Sequence, residues 1–110
     1  MKQFVIDELR PGDYEKLKTY LNDTLGAGDV DGLYWVRIAK EVFSDIQKDH
    51  QECQPFYFAL DLESDRVVFE LLVRTKSRIR CDCMAYATEA QCTWLMREMD
   101  AMFEKLEITV

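Results

Sequence analysis

The chain has one histidine, His50, and Cys53 follows it by three positions. Cys81 and Cys83 form a C-x-C pair further on. On a helix, H-x-x-C sets an imidazole and a thiolate one turn apart on one face. On a strand, C-x-C sets two sulfurs on one face, about 6.5–7 Å apart. Three thiolates and an imidazole are the donor set of a tetrahedral zinc site. The spacing is looser than that of paired C-x-x-C knuckles, and each of these residues also fits an apolar face. Cys81 and Cys83 share theirs with Ile79. The sequence therefore leads first to reduced cysteines buried as small hydrophobes, with no cofactor. The alternative is zinc on His50, Cys53, Cys81 and Cys83.

Other chemistry is weaker. The fourth cysteine, Cys92, heads the apolar stripe of a helix, where its sulfur would not face outward at the helix start. No nucleophile–base constellation and no phosphate-binding glycine run accompanies it, so an enzyme is not expected. Asp29 and Asp31 lie in a turn-rich AGDVDG loop that lacks the later ligands of a calcium loop. They are expected to be solvated. Charge is uneven: residues 66–80 hold five basic side chains and one acid, net +4, leaving nine basic and twenty acidic residues elsewhere. Within that segment Arg74, Arg78 and Arg80 form a candidate anion patch, although pairing with Glu70, Asp82 or acids on covering helices would also use them.

These groups must be positioned by regular elements. Pro11-Gly12-Asp13 introduces a helix over 13–25 with Asp13 as N-cap, and Gly26 ends it in the left-handed region. Leu33–Ile38 is rich in strand formers. Ala39, Val42, Phe43 and Ile46 recur at helical spacing, predicting a helix over 39–51 whose stripe continues to His50 and Cys53. Phe56, Phe58, Leu60 and Leu62 alternate as a half-buried strand. Strands at 66–74 and 78–84 follow across short turns, which makes an antiparallel meander. Val68 and Leu72 make the middle strand apolar on both sides, so a covering layer is expected on each face. Thr88-x-x-Gln91 is a capping box opening a helix over 88–106, with Cys92, Leu95, Met96, Met99, Met102, Phe103 and Leu106 on one face. Glu107–Val110 is a candidate last strand, and the opening residues a candidate first one. Interleaved helices with hairpin-connected strands give an α+β class: a three- to five-stranded antiparallel sheet with about three helices packed on it. The core is expected to contain Leu17, Leu21, Phe43, Ile46, Phe58, Leu60, Phe69, Leu71, Leu95, Met99 and Phe103.

With 14 Lys+Arg against 21 Asp+Glu, the net charge is −7, which argues against nucleic acid as a partner. Hydrophobic residues at 48% exclude a wholly disordered chain, and 110 residues without a linker read as one domain. No apolar run reaches the ~18 residues that cross a membrane. The opening residues hold only Phe4-Val5-Ile6 between charges, too short for a secretory signal, so reduced thiols in the cytoplasm are expected. Ala90, Trp94 and Ala101 form a second, narrower stripe on the last helix, with Trp35 another candidate anchor. Aromatics with small neighbours are typical of interfaces. The outline resembles the bacterial secretion-chaperone type of domain, which binds partner segments as a dimer; the likeness is one of architecture and charge. The leading expectation is a non-enzymatic cytosolic interaction domain, a homodimer or the binder of a protein partner. The rival is the small zinc protein.

Overall fold

A computed structural model describes residues 2–28, 30–75, 81 and 83–109. The described residues fold as α+β, with a five-stranded antiparallel sheet and three helices. In chain order the elements are β1 (Gln3–Ile6), α1 (Pro11–Leu25), β2 (Leu33–Arg37), α2 (Asp45–Asp49), β3 (Phe56–Leu62), β4 (Val67–Glu70), β5 (Arg74–Thr75) and α3 (Glu89–Lys105). The sheet order is β1-β4-β3-β2, and β5 also pairs with β3.

The alternation in β3 carries the core. Phe56, Phe58, Leu60 and Leu62 are buried on one face, and each such side chain contributes about 1.5–3 kcal/mol through removal from water. They pack in one cluster with Leu17 and Leu21 of α1 and Leu95, Met99 and Phe103 of α3. Phe43 meets Phe56 edge to face with ring centroids 5.0 Å apart. The Tyr34 hydroxyl donates to Asn22 Oδ1 at 2.6 Å, tying β2 to α1. β2 lies along one edge of β3 over its length, whereas the other edge is shared by β4 and β5.

Several expectations need correction. The first helix starts at Pro11, the position that tolerates a missing N–H, and Asp13 is not the N-cap. Its carboxylate instead accepts the Arg10 N–H at 3.1 Å from the third helical position. The stretch 39–51 is not one helix. A 3-10 turn at Lys40–Val42 ends in extended Phe43, and Ser44 then caps the short α2. Ile46, expected in the core, is 49% exposed because that restart rotates it away. Leu71 is only half-buried.

The strand expected at 66–74 is interrupted at 71–73. There the backbone turns to other partners: Ala87 N–H donates to Leu71 O at 2.7 Å, Val73 N–H donates to Ala85 O at 2.9 Å, and Leu72 bridges Tyr86. The strand expected at 78–84 is not seen in Cys81, Cys83 or Met84; Lys76–Arg80 and Asp82 lie outside the described residues. Glu107–Thr109 form no strand either. On the sheet face carrying Val68, neighbouring Val5 is 41% exposed, so none of the described residues forms a layer over that part of the sheet.

Candidate metal centre

Two tight turns build the site. Ser44 opens α2 through a reciprocal capping box: its hydroxyl accepts the Gln47 N–H at 3.3 Å, and its own N–H donates to Gln47 Oε1 at 3.0 Å. The helix runs a single turn and ends at His50, whose N–H donates to the Ile46 and Gln47 carbonyls. A 3-10 turn follows at once, and the Cys53 N–H donates to His50 O at 3.1 Å. His50 and Cys53 thus come from one compact turn. Thr75 of β5 donates its hydroxyl to the Cys53 carbonyl and anchors that turn to the sheet.

The second pair comes from the chain returning after β5. Met84 N–H donates to Cys81 O at 3.0 Å, so a turn rather than the expected strand presents Cys81 and Cys83. Residues 85–87 are held against the interruption at 71–73, which fixes where this turn sits.

The four donors converge. His Nδ1 or Nε2 and the three Sγ atoms all lie within 4.8 Å of one another. His50 Nδ1 is 2.9 Å from Cys81 Sγ, and Cys53 Sγ is 3.4 Å from Cys81 Sγ. A tetrahedral zinc shell with bonds of about 2.3 Å to sulfur and 2.0–2.1 Å to nitrogen has S–S edges near ~3.8 Å and N–S edges near ~3.5 Å. Shifts of a fraction of an ångström to about 1 Å bring the ligands onto such a shell. Cys53 and Cys83 are 0% and 2% exposed, while His50 and Cys81 are half-buried.

The electrostatics suit a cation. Hydrogen bonds to its sulfur from the Cys83 backbone N–H, then from the Cys83 thiol, pull Cys81 down to about 6, with Cys53 and His50 adding to the effect. Burial pushes Cys83 up to about 12, the hydrogen bond to Cys81 acting next. Burial also pushes Cys53 up. One thiolate therefore sits among two thiol donors, an arrangement that a divalent ion can replace by taking the protons' place.

The other candidate residues are scattered. Trp94 and Ala101 line a groove between α1, β2 and α3, whereas Ala90 flanks a separate depression with Trp94, Val42 and Arg97. Trp35 alternates with Tyr34 and Val36 and so lies on the opposite sheet face, edge-on to Tyr57 with ring centroids 6.4 Å apart. Arg74 is paired with Glu70 at 2.9 Å, while Arg78 and Arg80 lie outside the described residues. Cys92 is half-buried and is not among the clustered ligands. Sequence reasoning missed Gln47 and Thr75 beside the cluster. The Ser44-x-x-Gln47 capping box was the available signal for Gln47, hidden by the apolar stripe running through it. No known family, curated protein or solved structure matches this chain, and none of these comparisons supports the likeness to secretion chaperones. Among the described residues, no helix is long and apolar enough to cross a membrane.

Proposed function

We propose that this chain is a small zinc-binding protein, with one structural ion held by His50, Cys53, Cys81 and Cys83. The observation that carries this is the convergence of the four donor atoms within 4.8 Å. Three thiolates and an imidazole are soft and borderline ligands of the kind zinc selects over magnesium or calcium. Four protein ligands fill a tetrahedral shell and leave no open position for a reacting water, so the role is structural rather than catalytic. The ion clips the turn before β3 to the turn before α3. The test is metal analysis and native mass spectrometry of protein purified under reducing conditions, with cobalt as a spectroscopic probe. One zinc per chain and intense thiolate-to-cobalt absorption, both lost in Cys83→Ser, are expected. Folded, reduced protein that takes up neither metal overturns the assignment.

A second reading is a cytosolic interaction domain, homodimeric or partner-binding, that assembles through the Trp94 face. Supporting it is a groove of about 340 Å³ with an apolar wall formed by Tyr20, Leu25, Val36, Trp94, Ala101 and Met102. Sedimentation equilibrium of wild type and Trp94→Asp tests it. Wild type that remains monomeric at ~100 μM excludes a tight homodimer by mass action.

A further inference from the structure

Two glutamine side chains, Gln47 and Gln91, are 3% and 0% exposed, and among the described residues no other long polar side chain is buried. A buried primary amide is costly unless its oxygen and nitrogen are both bonded. Here the bonds form a directed relay. The Thr88 N–H donates to Gln91 Oε1 at 3.0 Å. Gln91 Nε2 donates to Gln47 Oε1 at 2.7 Å. Gln47 Nε2 donates to the Cys83 carbonyl at 3.4 Å. Each amide accepts at oxygen and donates at nitrogen, the arrangement in which successive hydrogen bonds polarise and strengthen one another.

Both glutamines are also the third residues of capping boxes, at Ser44 and Thr88. Glu serves that purpose as well as Gln, and this chain is rich in acids. Capping alone does not account for Gln at both positions. The relay does, because a carboxylate has no N–H to pass on, and a buried one would need its own compensation. Gln47 touches both halves of the candidate metal site. Its carbonyl accepts the His50 N–H at 3.3 Å, while its side chain reaches Cys83. The link to Cys83 is the longest in the relay, and it is the one that drawing Cys83 onto an ion changes.

We propose that the buried Gln47–Gln91 pair is a positioning device for the Cys83 ligand, coupling ion binding to the docking of the α3 N-terminus; this rests on the zinc assignment above. Removing a partner bonded directly to a ligating side chain typically changes metal affinity by 10–100-fold, and this relay, which reaches Cys83 through its backbone carbonyl, falls at the low end of that range. The coupling is reciprocal, so an ion that fixes Cys83 also steadies the first turn of α3 by the same factor.

The experiment measures zinc affinity by chelator competition for wild type, Gln91→Leu and Thr88→Ala, with the cobalt spectrum recorded for each. Gln91→Leu breaks the relay without touching a ligand residue. Thr88→Ala weakens the helix cap but leaves the Gln91–Gln47 bond. The expected result is a loss of about tenfold or more for Gln91→Leu with a shifted cobalt spectrum, and a change within about twofold for Thr88→Ala. Equal affinities in folded wild type and Gln91→Leu overturn the coupling, as do equal losses in both variants, which mark a capping effect. Should Gln91→Leu not fold, amide hydrogen exchange of wild type decides. Zinc is expected to slow exchange at Gln91 and Cys92; protection confined to 50–53 and 81–84 overturns the coupling. Failure of wild type to bind zinc instead refutes the metal assignment itself.

Discussion

Filling the site with zinc should release close to two protons at pH 7.5, although three cysteines bind. The count follows from the unequal environments of the sulfurs. Cys81, pulled down to about 6 first by the Cys83 backbone N–H, is held mostly as thiolate at that pH. Burial pushes Cys83 up to about 12 and so favours its thiol form, and burial raises Cys53 as well. Each of these two must therefore lose a proton to coordinate, and Cys81 contributes almost none. Three cysteines with ordinary values would release close to three. Calorimetric titration of metal-free protein in buffers of different ionisation enthalpy reads the number directly. Cys81→Ser sharpens the test: the affinity falls, yet the count stays near two because the residue removed carried no proton. A wild-type count near three, or a drop to one in Cys81→Ser, refutes the assignment of the resident thiolate. The sign with pH follows too. Protons compete with the ion, so affinity falls on acidification, by about two protons per ion above pH 6 and more steeply below it as Cys81 protonates.

Other outcomes follow from the packing. Gly32 has φ +81°, and a Cβ there would lie 2.9 Å from the Leu62 carbonyl oxygen, so Gly32→Ala should cost about 1–3 kcal/mol in urea unfolding. A loss under ~0.5 kcal/mol would count against that close approach. Leu95→Ala should cost about 2–5 kcal/mol, whereas neighbouring Met96→Ala, at an exposed position, should stay within about 0.5 kcal/mol. Comparable losses would refute the assignment of the buried face of α3. Cys92→Ser should leave the zinc stoichiometry unchanged by metal analysis, since that sulfur lies outside the ligand cluster.

Legibility in the sequence tracked how local each signal was. The Thr88–Gln91 capping box and the period of α3 are contained within a few turns, and α3 appears where they place it. The alternation of β3 likewise survives, because its register is enforced by a buried face. The stripe through Ala39 to Ile46 misled because the same residues fit a continuous helix and a restart at Ser44, and the capping box decided for the restart. The interruption at Leu71–Val73 had no local mark: it arises from hydrogen bonds to Ala85 and Ala87, distant in sequence. The four candidate ligands are readable by type, and their convergence is not, since it depends on that same long-range return. C-x-C spacing alone suggested a strand, and the turn closed by Met84 was invisible in it.

The placement of the ligands in two pairs has a further consequence for the unfolded chain. On the zinc assignment proposed above, His50 with Cys53 and Cys81 with Cys83 are each close in sequence, so either pair would reach a single ion with little loop to close. Completing the shell then joins Cys53 to Cys81, 28 residues apart, and the loop so closed contains β3, β4 and β5 whole. The length-dependent entropy of closing such a loop is about 3 kcal/mol, drawn from the ion rather than from strand pairing. An ion bound early would thus act as a temporary cross-link, delivering the two ends of the central hairpin to each other before their hydrogen bonds form.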